Sequence, residues 1–284
     1  MVAMRKFVRI LYGAYLKFDR DDGWAVTSYI ALAILTSLFP FLIFLTALAG
    51  FFGLGQEAEA ARKLLFDTWP SSVAGPIAGE IHNVLTQPRR GLLTLGAVFS
   101  IYFASTGVEA LRVALNRAYD IKDQRPWWLT RLESILYVFL GAAALLAVAI
   151  LLVLAPLARA IAERFIPHIV QDLEPLYEPV RYGVTTALLA AALFAAHKFL
   201  PAERRSLFFL GPGIALTLVA SLALGVGFGA YLARFAGSYV STYAGLASIV
   251  IAIVFLQMLA AIFIYGAELN QTIAADGEKV EGQG

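Results

Sequence analysis

The stretch IYFASTGVEALRVALNRAY, residues 101–119, begins as an uninterrupted apolar helix and then admits a Glu and an Arg three positions apart without losing helical rhythm. At 100° per residue, Tyr102, Ser105, Glu109, Arg112 and Asn116 fall within about 80° of one another, forming one polar stripe. A charge facing lipid is expensive, so this stripe is expected to face the interior of a helix bundle, with Glu109 and Arg112 pairing at i, i+3. The stretch reads as a membrane span whose charged end needs partners from other helices.

The rest of the chain supports that reading. Of 284 residues, 60% are hydrophobic and only 15% charged, with a mean hydropathy of +0.75; soluble domains have about 45–50% apolar and about 25% charged residues. A helix needs roughly 20 apolar residues to cross the hydrocarbon core. Six candidate runs occur, at 25–54, 92–108, 135–157, 184–196, 207–233 and 243–267. The fold class expected is an all-α, polytopic membrane protein with six transmembrane helices. One membrane domain, 25–271, follows a cytoplasmic segment, 1–24, and precedes a disordered tail, 272–284. With the N-terminus inside, 14 Lys and Arg lie on the cytoplasmic side against 8 outside, which predicts cytoplasmic termini. The outer loops 55–90 and 158–171 mix apolar and charged positions at helical spacing and read as short interfacial helices.

Other spans carry polar positions of their own. On the sixth, Gln257 and Glu268 share a face within about 60°, with Asn270 just beyond; Glu268 and Gln257 are the expected facing groups for Glu109 and Arg112. On the first, Tyr29 and Thr36 share a stripe with Pro40, which removes a backbone donor and is expected to act as a hinge, with Ser37 serving a freed carbonyl. Gly225, Gly227 and Gly229 on the fifth predict close packing or local unwinding. They form no phosphate loop, having neither a strand nor a Lys-Ser/Thr pair. Together the stripes predict a polar path between the first, second and sixth spans, with Lys198, Arg204 and Arg205 placed for an anionic head group.

Three sequence motifs, LTSLFPF at 35–41, VALNRAYDIKDQRPWW at 113–128 and YGAELN at 265–270, occur in this order between the spans. In these the chain resembles the YihY/virulence factor BrkB family of bacterial inner-membrane proteins. The resemblance implies a six-span inner-membrane fold. Some family members are associated with resistance to killing by serum and some are labelled ribonuclease BN, but no agreed catalytic motif exists to carry over. The residues argue against an enzyme. A metal-dependent nuclease needs clustered His and carboxylate ligands, whereas His82 and His168 fall in the outer loops, His197 at the cytoplasmic end of the fourth span, and the chain has no cysteine. No catalytic residue, metal or cofactor is expected, and no nucleic acid, because the net charge is only +2 and the Trp127–Trp128 pair beside Arg125 and Arg131 reads as an interfacial anchor. The function expected is a transporter or a lipid- or amphiphile-handling protein with membrane lipids as partners. The competing expectation is a non-catalytic scaffold meeting envelope proteins through its outer loops.

Overall fold

The computed structural model describes residues 2–51, 93–165, 183–184, 186–243 and 247–281. Among them the regular structure is entirely helical: α1 (Val2–Arg20), α2 (Gly23–Phe51), α3 (Leu93–Ala118), α4 (Trp127–Phe165), α5 (Thr186–Phe199), α6 (Leu207–Tyr243) and α7 (Ala247–Glu281). Four helices contain stretches long and apolar enough to cross a membrane: Val98–Ala118, Trp127–Leu146, Phe208–Arg234 and Ile249–Gly277. The Gly23–Leu38 part of α2 and the helix α5, Thr186–Phe199, are shorter apolar stretches. Much of this apolar surface is uncovered. On Phe208–Arg234 only 17% of the apolar window is buried, and Phe208, Val219 and Val226 point outward. So large an exposed apolar surface is stable against hydrocarbon and not against water, so this is a membrane protein.

The first segment is more than a polar leader into the membrane. Ala14 and Phe18 are buried and Leu11 half-buried along one side of α1, which packs on α7. This contact also corrects the reading of 272–284 as a disordered tail, because α7 continues to Glu281. A short polar stretch seldom holds a helix alone; here Lys6 of α1 pairs with Asp276 at 3.0 Å and Gly13 lies against the Thr272 methyl. The interfacial helices expected at 55–90 lie outside the described residues. Of 158–171, residues 158–165 continue α4 and the remainder lies outside, as do His82 and His168.

The chain divides into two compact units, one made of Met1–Thr36, Thr106–Arg131 and Leu189–Gly284, the other of Ser37–Ser105 and Leu132–Leu188. Each boundary falls inside a helix, so no loop composition marks it. In the first unit α7 is the central element, packed against both α1 and α6. Phe228 stacks on Phe255 at 5.1 Å across α6 and α7. In the second, Phe44 meets Phe139 edge-on at 4.8 Å.

Close helix packing by glycine occurs, but not where the sequence suggested. Open space surrounds Gly225, Gly227 and Gly229, and α6 runs through them unbroken. Among the described residues no backbone stands within reach of any of the three positions, so missing side chains bring nothing closer. The tight contact is at Gly213 and Gly266. A Cβ on Gly213 would strike the Gly266 carbonyl and the Asn270 side chain, and one on Gly266 would strike the Thr217 hydroxyl. Gly266→Ala is therefore expected to destabilise the protein by about 1–3 kcal/mol, while Gly227→Ala is neutral or gains up to about 1 kcal/mol of helix propensity. Thermal unfolding of the two variants in detergent measures the difference.

Candidate functional site

The end of α3 is shaped by its backbone. Asp120 N–H donates to Arg117 O and Ile121 N–H to Asn116 O, with Asp120 at φ 56°. This is a Schellman closure in which Asp occupies the left-handed position that glycine usually takes. Asp22 holds the same region at φ 53° in the turn between α1 and α2. Aspartate is among the few side chains that tolerate this conformation. Using it at both turns sets carboxylates beside the helix ends.

Lys17 of α1 is enclosed by this arrangement. Its ammonium lies 2.7 Å from Glu268 of α7, 2.8 Å from Asp21 and 3.4 Å from Asp120, and donates to the Ala118 carbonyl at 2.9 Å. Burial pulls its pKa down, but Asp21, Glu268 and Asp120 overcome that and raise it above the ordinary 10.5, so Lys17 stays charged. The expectation that Glu268 and Gln257 face Arg112 is thus corrected: Glu268 meets Lys17, and Gln257 donates to Ser28 Oγ at 2.9 Å. Helical periodicity in 1–20 was the signal that would have found Lys17, which lies on the side of α1 next to the buried Ala14 and Phe18.

Glu109 and Arg112 do pair, and a second carboxylate joins them. Arg112 is buried and donates through Nη2 to Glu109 and through Nη1 to Asp123. Asp123 also accepts from Arg125 Nη2 at 2.7 Å, Arg125 Nε at 2.8 Å, the Arg125 backbone at 3.1 Å and Asn116 Nδ2 at 3.1 Å. Asn116 in turn accepts from the Ala202 backbone at 2.8 Å, tying in the segment before α6. These groups line an open pocket of about 420 Å³, with Trp127 at its rim. The hydrogen bonds from Arg125 hold the Asp123 carboxyl down at about 2, against the opposing effect of burial. Asp123 was not anticipated, because it lies in a loop where helical periodicity has nothing to say.

An uncharged clamp joins α7 to α6. Asn270 is buried, accepts from Gly213 N–H at 2.6 Å and donates to the Leu210 carbonyl at 3.2 Å, flanking Pro212 inside α6. A proline in a helix disturbs backbone hydrogen bonding, and side chains of a neighbouring helix can restore it. Its amide also approaches Tyr119 Oη at 3.4 Å. Tyr119 Oη lies 2.6 Å from Nδ1 of His197, which is fully buried beside the Phe263 ring near the end of α5.

The remaining expected residues scatter. Tyr29 and Tyr102 face outward; an aromatic ring at the edge of a stripe is tolerated by lipid. Ser37 is buried. Thr36 and Ser105 spend their hydroxyl donors on carbonyls of their own helices, Leu32 at 2.8 Å and Tyr102 at 2.7 Å. Helix α2 continues through Pro40. Lys198 donates to the Arg205 carbonyl, and Arg204 and Arg205 lie over the rings of Phe199 and Phe209 at 5.8 and 5.3 Å. Among the described residues no group of three or more His, Cys, Asp or Glu is placed to hold a metal ion.

The family model described as Virulence factor BrkB matches residues 14–283, a range that takes in Lys17, the α3 pocket and the Asn270 clamp. The chain belongs to the virulence factor BrkB family. This BrkB-family chain is 26% identical over 258 residues to the "Putative ribonuclease-like protein YfkH" of Bacillus subtilis (strain 168), covering 90% of this chain and 92% of that protein. It is also 26% identical over 276 residues to the "UPF0761 membrane protein RC1_0578" of Rhodospirillum centenum (strain ATCC 51521 / SW), covering 94% of this chain but only 57% of that longer one. No solved structure matches it.

Two outcomes test the charge clusters of this BrkB-family protein. Lys17→Met leaves Glu268 buried without its cation and is expected to cost about 3–5 kcal/mol, whereas Lys17→Met with Glu268→Gln recovers much of that; thermal unfolding in detergent reads both. Because Asp123 sits below its ordinary 3.8 in the folded chain, its stabilising contribution is complete above that pH and is lost as pH falls toward about 2. The stability difference between wild type and Asp123→Ala is therefore expected to be flat from neutral pH to about 4 and to shrink below it.

Proposed function

We propose that this protein handles lipids or similar amphiphiles at a bacterial inner membrane, moving or presenting them rather than cleaving a substrate. The observation that carries this reading is the pocket of Arg112, Asn116, Asp123 and Arg125, which lies between the end of one apolar span and the start of the next, beside the exposed Trp127 and Trp128. Tryptophans at a span boundary mark head-group depth, so the pocket opens where lipid phosphates lie. Each carboxylate in it is engaged by arginine, which favours holding charged groups over acid–base chemistry. The ribonuclease-like name belongs to YfkH and is not extended to this chain.

A six-span topology with both termini cytoplasmic accompanies this proposal. Helix α1 and the last turns of α7 pack together, which supports their lying on one side of the membrane with an even number of crossings between them. Four long apolar stretches plus two shorter ones supply six, and the basic-residue asymmetry orients them. A periplasm-dependent reporter fused after Asn270 is expected to stay silent, and activity there overturns the topology.

The functional test is reconstitution in liposomes carrying a head-group-labelled phospholipid. The protein is expected to accelerate exchange of the label between leaflets, and Arg112→Gln to slow it. Exchange no faster than in protein-free vesicles would falsify the handling reading.

A further inference from the structure

The charged pocket has an apolar neighbour across one ridge of α3. Val113 and Arg117, four residues apart and both about half exposed, line the charged pocket on one side and, on the other, a mostly apolar groove of about 370 Å³ between α2 and α3. Val26 and the buried Ala110 and Ala114 line this groove together with the exposed Ala25. Two cavities of opposite character, separated by one exposed side-chain row, match the two ends of an amphiphile.

The charges select the head. The polar pocket holds three guanidiniums, Arg112, Arg117 and Arg125, against two carboxylates, Glu109 and Asp123. Nε of the buried Arg112 has no hydrogen-bond partner among the described residues. Among the described residues Arg117 is held only from the groove side, by Asp22 at 2.7 Å, and both of these side chains are open to solvent; such a pair is worth about 0–1 kcal/mol and yields readily to a competing anion. Phosphate matches guanidinium donors in charge and in fork geometry.

We infer that the Val113–Arg117 ridge is the seat of a phosphate-bearing amphiphile, its phosphate among Arg112, Arg117 and Arg125 and an acyl chain in the groove between α2 and α3. This assignment rests on the lipid-handling reading and gives it a site. Lys198, Arg204 and Arg205 are not part of it, since their cationic groups are directed to a loop carbonyl and to phenylalanine rings.

The test is binding to the full chain in detergent, titrated with fluorescent phosphatidylglycerol and competed with unlabelled phosphatidylglycerol, diacylglycerol or glycerol 3-phosphate. Unlabelled phosphatidylglycerol is expected to compete at least about tenfold better than either of the others. Arg117→Gln is expected to weaken phosphatidylglycerol by about tenfold while keeping the wild-type melting temperature, since its pair with Asp22 is exposed. Ala25→Trp, at an exposed position in the groove, is expected to remove the advantage of the lipid over glycerol 3-phosphate. Equal competition by glycerol 3-phosphate in the wild type reduces the site to one for free phosphate, equal competition by diacylglycerol removes the head-group role, and undiminished binding in Arg117→Gln overturns the assignment. Saturable binding that passes these tests alongside absent leaflet exchange would leave the site intact and refute the handling reading.

Discussion

The enclosed ammonium of Lys17 is the contact on which the first unit depends. It takes oxygens from three places in the chain: Asp21 at its own helix end, Ala118 and Asp120 at the end of α3, and Glu268 within α7. Glu268 is almost fully inaccessible, and a carboxylate in that position must be matched by a cation or give up its charge. One lysine therefore fixes where α1 lies, which face of α7 turns toward it and how closely the end of α3 approaches. The tight glycine contact between α6 and α7 and the Asn270 clamp sit on the same α7, so the placement of one helix carries to the rest.

Much of the membrane character was legible from sequence because it depends on composition and run length, which survive any error of packing. The α3 stripe was legible for a similar reason: a 3.6-residue period places Ser105, Arg112 and Asn116 on one side, and all three are buried. What periodicity could not reveal was partner choice. Glu109 and Arg112 found each other because they share a helix, whereas the partner of Glu268 lies at the far end of the chain and that of Arg112 in a loop. A polar stripe states that partners are needed and is silent about which element supplies them.

The misreading of the glycines has the same origin. Gly225, Gly227 and Gly229 form the more conspicuous pattern, yet Gly213 and Gly266, far apart in sequence and each unremarkable alone, make the close approach. A small residue permits contact only where another backbone stands opposite, and that is a tertiary fact. Asp22 and Asp120 were harder still, since a left-handed turn normally advertises itself with glycine, and here the carboxylate carried at that position is what the neighbouring cations use.

The packing of α1 on α7 also sets an order of assembly. Tyr265 donates to the Leu11 carbonyl across a separation of 254 positions, and the Lys17 pair with Glu268 is nearly as long-range. Helix α1 cannot reach its partner until α7 has been made, and until then Lys17 has only Asp21 and the end of α3. Loop closure of that length is entropically slow. The contact thus works as a completion check: only a chain translated through α7 can match Lys17 with Glu268, and one ended before it leaves the ammonium short of its closest carboxylate.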